Sequence, residues 1–183
     1  MEHKAGSGSH ALEHNDQPSA QNALDLVPIA AGSIVVGHDG STESDHALEM
    51  TLDLAGRLNA PVVIVRAWTI DDKLADFRND DGTIASFTEI TGTVRKRLLD
   101  ETAAAAHSHP GVVVQCRAAL AQPSEILESL STDALMLVVG SRGLGNIAGF
   151  MLGSVSSHCV HHARCPVLVV PPAHPSGPST RVE

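Results

Sequence analysis

A glycine-rich segment in the carboxyl-terminal third of the chain has the residue types and spacing of an anion-binding loop. Gly140 and Gly143 directly follow an aliphatic run, and Gly153 stands immediately before Ser154. Glycines allow positive φ and close approach of the backbone, so successive N–H groups can face one concavity. A helix beginning at Ser154 would add free amides and a partial positive charge. The spacing therefore predicts a phosphate site, with a purely structural loop as the alternative.

Two better-known phosphate loops fit this segment less well. A P-loop requires a lysine beside its last glycine, and no lysine follows Lys96 in this chain. Residues 143–148 match a relaxed dinucleotide fingerprint, but residues 167–172 lack the carboxylate that should end the next strand. We therefore predict that phosphate is bound by backbone amides and by the hydroxyls of Ser154 and Ser156.

A second group of residues, at the end of the chain's last predicted helix, has the side chains of a zinc site. Its members are His158, Cys159, His161, His162 and Cys165. Histidines also suit the negative end of a helix dipole, and buried cysteines pack as small apolar side chains. We favour this second interpretation and predict no metal ligands among the protein side chains.

The adjacent residues His38 and Asp39 could indicate a hydrolase. The serine motif G-x-S-x-G, which would supply a nucleophile, is absent from the chain. An aspartate after a strand commonly caps the following turn or helix, so Asp39 has both a ligand-binding and a structural interpretation.

The overall composition excludes several classes of function. The 183-residue chain has a net charge of −9, whereas nucleic-acid binding needs clustered lysine and arginine. Aromatic residues make up 2% and tyrosine is absent, so a bound purine would lie between aliphatic side chains. No apolar stretch has the length of a membrane span, and three cysteines without paired spacing do not indicate disulfides. We expect a cytoplasmic protein with no nucleic-acid or membrane partner.

The elements that must position these residues alternate regularly along the chain. Buried strands are predicted at 34–36, 61–68, from 112, at 135–139 and at 167–170. Amphipathic helices are predicted between them: from Thr42, where Thr42 and Asp45 form a capping box, at 86–107, from Pro123 and at 154–163. This order predicts an α/β fold, an open doubly wound five-stranded parallel sheet with helices on both faces.

Ligands of such sheets bind beyond the carboxyl ends of the strands. The loops at 37–41 and 140–153 leave strands at that edge, so we expect them to form the site together. The predicted nucleotide-binding domain spans residues 32–172. Residues 1–31 and 173–183 are predicted tails, the first disordered, with a short apolar island at 24–29 that could dock on the domain. Five aspartates within residues 71–82 predict an exposed loop.

Three segments together resemble the universal stress protein family. The glycines at 140, 143 and 153 with Ser154 fit its pattern G-x2-G-x9-G-[ST], residues 35–41 (VVGHDGS) resemble its opening loop, and residues 165–170 (CPVLVV) resemble its closing strand. The resemblance covers residues 33–172. It implies an adenine-nucleotide alpha hydrolase-like fold with strand order 3-2-1-4-5. It also implies membership of the ATP-binding subgroup, since the glycine pattern is complete.

The resemblance assigns a role to each matching position. Gly37 would line the pocket, Asp39 and Ala67 would contact the adenosine, and Val139 and Gly140 would flank the ribose. The phosphates would be contacted by Arg142, Gly143, Gly153, Ser154, Val155 and Ser156. Ala67 stands where a larger aliphatic residue is common, and position 37 is glycine where proline also occurs.

The resemblance implies a stress-response switch or interaction module that binds ATP, with Mg²⁺ bridging the phosphates. The alternatives are a slow ATPase, an AMP or cyclic-AMP binder, and a nucleotide-free dimeric interaction protein. A short apolar strand at an exposed sheet edge invites pairing. We therefore expect a homodimer through the last strand, formed by Val167, Leu168, Val169 and Val170.

Overall fold

Strands and helices alternate throughout the computed structural model of the protein, which describes residues 28–70, 85–144 and 152–173. The strands are β1 (Ile34–Gly37), β2 (Val62–Trp68), β3 (Val114–Leu120), β4 (Met136–Gly140) and β5 (Val167–Val170). The helices are α1 (Thr42–Leu58), α2 (Phe87–Ser108), α3 (Pro123–Leu130) and α4 (Ser154–His162). The predicted acidic loop at 71–82 and nearly all of both predicted tails lie outside the described residues.

The five strands form one parallel sheet in the order β3-β2-β1-β4-β5, which confirms the predicted topology. The central strand β1 pairs with β2 on one side and with β4 on the other, so Val36 lies between Ile64 and Val138. The chain therefore leaves β1 and β4 in opposite directions across the sheet. A crevice opens at the carboxyl ends of strands at such a point, and this is where the two predicted loops meet.

Helices cover both faces of the sheet, and alternate residues of β1 belong to different apolar clusters. Ile34 and Val36 pack in the cluster that contains α1 residues and Leu98 of α2, whereas Val35 packs in the cluster beneath α3 and α4. All three side chains are fully buried. Burial of each such side chain stabilises the fold by roughly 1.5–3 kcal/mol, so the centre of the sheet is a rigid support for the loops that follow it.

The structure corrects the predicted start of α1. The N-cap is Ser41 and not Thr42, because the Ser41 hydroxyl accepts a hydrogen bond from the Ser44 amide at 3.2 Å. The Asp45 side chain bonds instead to His38, so it is not available as the second half of a capping box. The helix ends at Leu58, and its C-cap Asn59 adopts the left-handed conformation with φ of 53°.

Most element boundaries lie within one residue of the predicted ones, but the start of β3 differs by two residues. β3 begins at Val114 rather than at residue 112, and Val113 is 73% exposed at this edge of the sheet. At the amino-terminal boundary of the domain, Ile29 is buried in the cluster beneath α3, and Arg117 donates to the carbonyl of Pro28 at 3.3 Å. The end of the predicted tail therefore packs on the domain. Among the described helices, none is long and apolar enough to cross a membrane.

Candidate functional site

A cavity of about 340 Å³ opens at the carboxyl edge of the sheet, between the ends of β1, β2 and β4. All eleven residues predicted from the sequence to bind the nucleotide line it. They are Gly37, Asp39, Ala67, Val139, Gly140, Arg142, Gly143, Gly153, Ser154, Val155 and Ser156. The structure thus brings residues from three strands, two loops and one helix to one place. The ligand contact of each remains a prediction.

One wall of this cavity was not predicted from the sequence. It is formed by Val65 of β2 and by Pro123, Ile126 and Leu127 of α3. The apolar stripe of α3 was visible in the sequence, but a stripe does not show which of its residues faces a cavity. The wall is aliphatic, which is the kind of surface expected from the sequence around a purine in a chain with so few aromatic residues.

Asp39 connects the two loops of the site. Its Oδ1 accepts hydrogen bonds from the Ser41 hydroxyl at 2.6 Å and the Ser41 amide at 3.0 Å, and its Oδ2 accepts from the Leu144 amide at 2.9 Å. Burial opposes ionisation, but these hydrogen bonds outweigh it and lower the pKa of the Asp39 carboxyl below its usual value. Asp39 is therefore a carboxylate at neutral pH and holds the start of the glycine-rich loop.

Asp39 also lies close to Gly143, and the contact of each residue with a ligand stays a prediction. We expect Asp39 to contact the adenosine and Gly143 the phosphates, and a Cβ atom added to Gly143 would collide with Oδ2 of Asp39. Among the described glycines, only Gly32 and Gly40 have positive φ. The absence of a side chain at Gly143 therefore allows the present position of the Asp39 carboxylate, and the backbone of Gly143 is not left-handed.

The amino end of α4 forms the other side of the cavity. The Gly153 amide donates to the carbonyl of Ser141 at 2.7 Å, which fixes the first turn against the loop. The amides of Ser154, Val155 and Ser156 precede the first intrahelical hydrogen bond, which runs from Ser157 to the Gly153 carbonyl. These three amides and the positive end of the helix dipole suit an anion.

The two serine hydroxyls expected at this end of α4 have different environments. The Ser156 hydroxyl is buried and donates to the carbonyls of Ser141 at 3.1 Å and Gly153 at 3.0 Å. It is thus already used to hold the loop against the helix. Ser154 is exposed at the cavity, so its hydroxyl is the better placed of the two to contact a ligand.

His38, which also lines the cavity, is held between an arginine and a carboxylate. Arg66 Nη2 donates to His38 Nδ1 at 2.6 Å, and His38 Nε2 donates to Asp45 Oδ1 at 2.9 Å. Because a guanidinium can only donate, Nδ1 carries no proton and the ring is neutral. Arg66 Nη2 also donates to Glu101 at 2.6 Å. Burial lowers the pKa of His38 and the Arg66 charge lowers it further, although the Asp45 hydrogen bond opposes this shift.

We expect the protein to lose stability in acid through His38. Below about pH 6.5 the unfolded chain binds a proton at this residue that the folded protein excludes, so the free energy of unfolding falls with pH. The loss continues until the pH reaches the lowered pKa of the folded state. It amounts to at most about 1.4 kcal/mol per pH unit, the limit for one proton. Urea unfolding between about pH 7.5 and 5 measures the slope.

His38→Gln is the matched variant, because glutamine keeps an acceptor for Arg66 and a donor for Asp45 but does not titrate. It should show a shallower loss of stability in acid than the wild type. The pKa of His109 is raised by its hydrogen bond to the Ala105 carbonyl and then by Asp53. The stabilisation of the fold by protonated His109 is present below about pH 6.5 and lost at higher pH. Because His109 is unchanged in His38→Gln, it contributes equally to both proteins and does not affect the difference between their slopes. Equal slopes would show that His38 is not excluded from protonation by the fold.

The histidine and cysteine group of α4 does not converge on one point. His158 Nε2 donates to Glu128 of α3 at 2.7 Å, and its ring lies 4.4 Å from that of His162. Cys159 is fully buried, and burial raises its pKa to about 11, which disfavours the thiolate that metals bind. Within residues 28–70, 85–144 and 152–173, no three potential ligands are grouped as a metal site would require.

Comparison with known proteins gives a consistent result. A sequence model described as the universal stress protein family matches residues 31–171. A universal stress protein of Mycobacterium tuberculosis (strain ATCC 25618 / H37Rv) is 32% identical over 136 residues, which are 74% of this chain and 44% of that protein. One of Mycolicibacterium smegmatis is 31% identical over 170 residues, 91% of this chain and 52% of that protein. The chain thus spans about half the length of these curated relatives.

Solved structures agree with the sequence comparison. A crystal structure of a universal stress protein in complex with cAMP has a TM-score of 0.54 and 26% identity, and the match covers 79% of this chain and all of that one. A universal stress protein family member from Burkholderia pseudomallei has a TM-score of 0.55 and 26% identity, covering 78% of this chain and 97% of that one.

Proposed function

The chain belongs to the universal stress protein family, and we propose that it binds an adenine nucleotide in the cavity at the carboxyl edge of its sheet. We propose ATP as the first ligand, with Mg²⁺ bridging its phosphates. The protein would act in the cytoplasm as a stress-response switch or interaction module. A reducing compartment suits its cysteines, since all three are free thiols.

The observation that carries this proposal is the combination of two unlike walls in one cavity. The aliphatic wall contains Val65, Ile126 and Leu127, which suits a purine. The other wall is the amino end of α4, where the amides of Ser154 and Val155 suit phosphate. A nucleotide has this division between an apolar ring and a charged tail, and the cavity volume is within the range of small-molecule sites.

Calorimetric titration of the purified protein with ATP, cAMP and GTP tests the proposal. We expect ATP to bind with one site per chain and more tightly than GTP. Gly153→Gln is titrated in parallel as the control, because that variant should lose affinity for ATP. Absence of binding by ATP and by cAMP would contradict the proposal.

Cyclic AMP is the second candidate ligand. It is supported by the solved structure of a universal stress protein in complex with cAMP, which is 26% identical to this chain. Cyclic AMP has one phosphate and would make fewer contacts with the amino end of α4 than ATP. Tighter binding of cAMP than of ATP in the same titration would favour this candidate.

We also propose a homodimer through β5. This strand lies at the edge of the sheet, and Val167 to Val169 are only partly buried. We expect light scattering to show a dimer at micromolar concentration. Val169→Lys should shift it toward monomer, because it places a charge on the pairing strand.

Val113→Lys is the control for this experiment. Val113 is 73% exposed and precedes β3, the opposite edge strand, so the same substitution there should leave the dimer intact. Since Val169 also packs on the core beneath α3 and α4, circular dichroism must show that the Val169→Lys variant is folded. A wild-type monomer at micromolar concentration would contradict the dimer.

A further inference from the structure

A second cavity, of about 440 Å³, adjoins the first at the amino end of α4. The two cavities share Pro123 of α3 and Ser154 and Val155 of α4. The second cavity is otherwise lined by polar residues from the end of β2, the start of α3 and the middle of α4, namely Thr69, Gln122, Ser124 and His158. A ligand that occupies the first cavity and extends past the shared residues therefore enters a second, polar space.

Gln122 is the N-cap of α3, but its side chain makes no capping hydrogen bond. Short side chains such as serine are preferred at this position because they accept a hydrogen bond from the first helical turn. Ser41 and Ser86 cap α1 and α2 in this way. The Gln122 amide instead borders the second cavity and forms no hydrogen bond with another described residue. A residue that does not cap its helix is thus placed where it can donate to and accept from a ligand.

Two further groups of this cavity have unused hydrogen-bonding capacity. The Ser124 hydroxyl forms no hydrogen bond with another described residue. His158 Nε2 lies 2.7 Å from Glu128 Oε2, and a carboxylate only accepts, so the proton of the neutral ring is on Nε2 and Nδ1 can accept. The described residues that line the cavity include no carboxylate, lysine or arginine. The cavity therefore suits an uncharged group with several hydroxyls.

The two cavities differ in the character of their walls. The first has an aliphatic wall from Val65, Ile126 and Leu127, which suits a purine. Of the described residues that line the second, only Pro123 and Val155 are apolar, and both also border the first. A second purine would therefore lack an aliphatic surface there, whereas a sugar would meet hydroxyl, amide and imidazole groups. Each sugar hydroxyl can both donate and accept, as these groups require.

We propose that the protein binds ADP-sugars, with the adenosine in the first cavity, the diphosphate at the amino end of α4 and the sugar in the second cavity. Gln122 and Ser124 would hydrogen-bond to the sugar hydroxyls, and His158 Nδ1 would accept from one of them. The inference rests on the proposed function, because the contacts to adenosine and to the first two phosphates are those proposed for ATP. It adds a binding site for the group attached to the β-phosphate.

Calorimetric titration of the purified full chain with ADP, ADP-ribose and diadenosine diphosphate tests the proposal. We expect ADP-ribose to bind at least about tenfold more tightly than ADP. ADP-ribose is less negatively charged than ADP, so this gain in affinity would arise from contacts of the sugar and not from charge. Diadenosine diphosphate, which carries an adenine on the second ribose, should bind no more tightly than ADP-ribose. Tighter binding of diadenosine diphosphate would overturn the assignment of a sugar site.

Gln122→Ser separates ligand binding from stability. A serine at this position can cap α3 as Ser41 caps α1, so the variant should unfold at a higher temperature than the wild type. It should nevertheless bind ADP-ribose about fivefold more weakly, because the glutamine amide is lost. Its affinity for ADP should equal that of the wild type. Equal or tighter binding of ADP-ribose by Gln122→Ser would overturn the proposed contact with the sugar.

Ser124→Ala and Ser129→Ala form a matched pair, since both serines lie on α3 and Ser129 is exposed and borders neither cavity. We expect Ser124→Ala to lose about threefold in affinity for ADP-ribose, and Ser129→Ala to bind it as the wild type does. Wild-type protein that binds ADP and ADP-ribose with equal affinity would overturn this inference alone. Absence of binding by ATP, ADP and ADP-ribose would overturn the proposed function as well.

Discussion

Replacing Gly143 with glutamate is expected to weaken ATP binding by at least about tenfold, or 1.4 kcal/mol. A Cβ atom at this position would collide with Oδ2 of Asp39, which at present accepts the hydrogen bond of the Leu144 amide. Any side chain must therefore displace the carboxylate, and a glutamate adds a like charge beside it. The loop would lose the contact that holds it over the cavity.

Calorimetry with ATP and with adenosine measures this effect. We expect both ligands to lose affinity, because Asp39 lies at the disturbed position and is the residue expected to contact the adenosine. Gly92→Glu is the matched control, since a Cβ at Gly92 in α2 would meet open space. That variant should bind ATP as the wild type does. Unchanged ATP affinity in a folded Gly143→Glu protein would show that the Asp39–Leu144 contact is unimportant for binding.

Replacing Gly153 with glutamine should also weaken ATP binding by at least about tenfold, for a different reason. A Cβ at Gly153 would make ordinary contacts, 3.6 Å from the Arg142 Cα and 3.7 Å from the Ser156 hydroxyl. Its φ of −70° is open to any residue. The protein itself therefore tolerates a side chain here, and the expected loss arises because the longer side chain occupies the space beside the free amides of α4.

Gly153→Ala separates the effect of the added Cβ atom from the effect of a long side chain in the cavity. It adds only the tolerated Cβ, so we expect a smaller loss of ATP affinity than with glutamine and an unchanged circular dichroism spectrum. Adenosine should bind Gly153→Gln nearly as well as wild type, because this position lies at the phosphate side of the cavity. Low salt should not rescue ATP binding, since backbone amides hold the anion at short range. Equal ATP affinity in Gly153→Gln and wild type would mean that the glycine loop is only structural.

The sequence was sufficient for the fold because every strand is a short aliphatic run between amphipathic helices. Such strands must be buried on both faces, and right-handed crossovers then leave few arrangements. The strand order itself came from the resemblance and is confirmed. The predicted start of a helix was less accurate where two neighbouring polar residues could each be the N-cap. Ser41 and Thr42 could each cap α1, and only the bond from the Ser44 amide to Ser41 decides between them.

The two loops of the site were predictable because both leave parallel strands at one edge, whereas the individual lining residues came from the family resemblance. The contacts between particular residues of the site could not be predicted from the sequence. Asp39 and Gly143 are distant in sequence, and nothing in either residue type indicates that the two touch. Similarly, His158 could be placed on a helix from its spacing, but its bond to Glu128 depends on how α3 packs against α4. Contacts of this kind are set by tertiary packing and leave no periodic pattern in the chain.

The most direct test of the central claim is the identity of the small molecules that the protein carries. Purified wild type and Gly153→Gln are heat-denatured, the precipitate is removed, and nucleotides in the supernatant are quantified by mass spectrometry. The proposed function predicts an adenine nucleotide, ATP first, released from wild type, and at least about tenfold less from the variant at equal protein concentration. Absence of any adenine nucleotide from wild type after incubation with ATP, or equal amounts from both proteins, would contradict it.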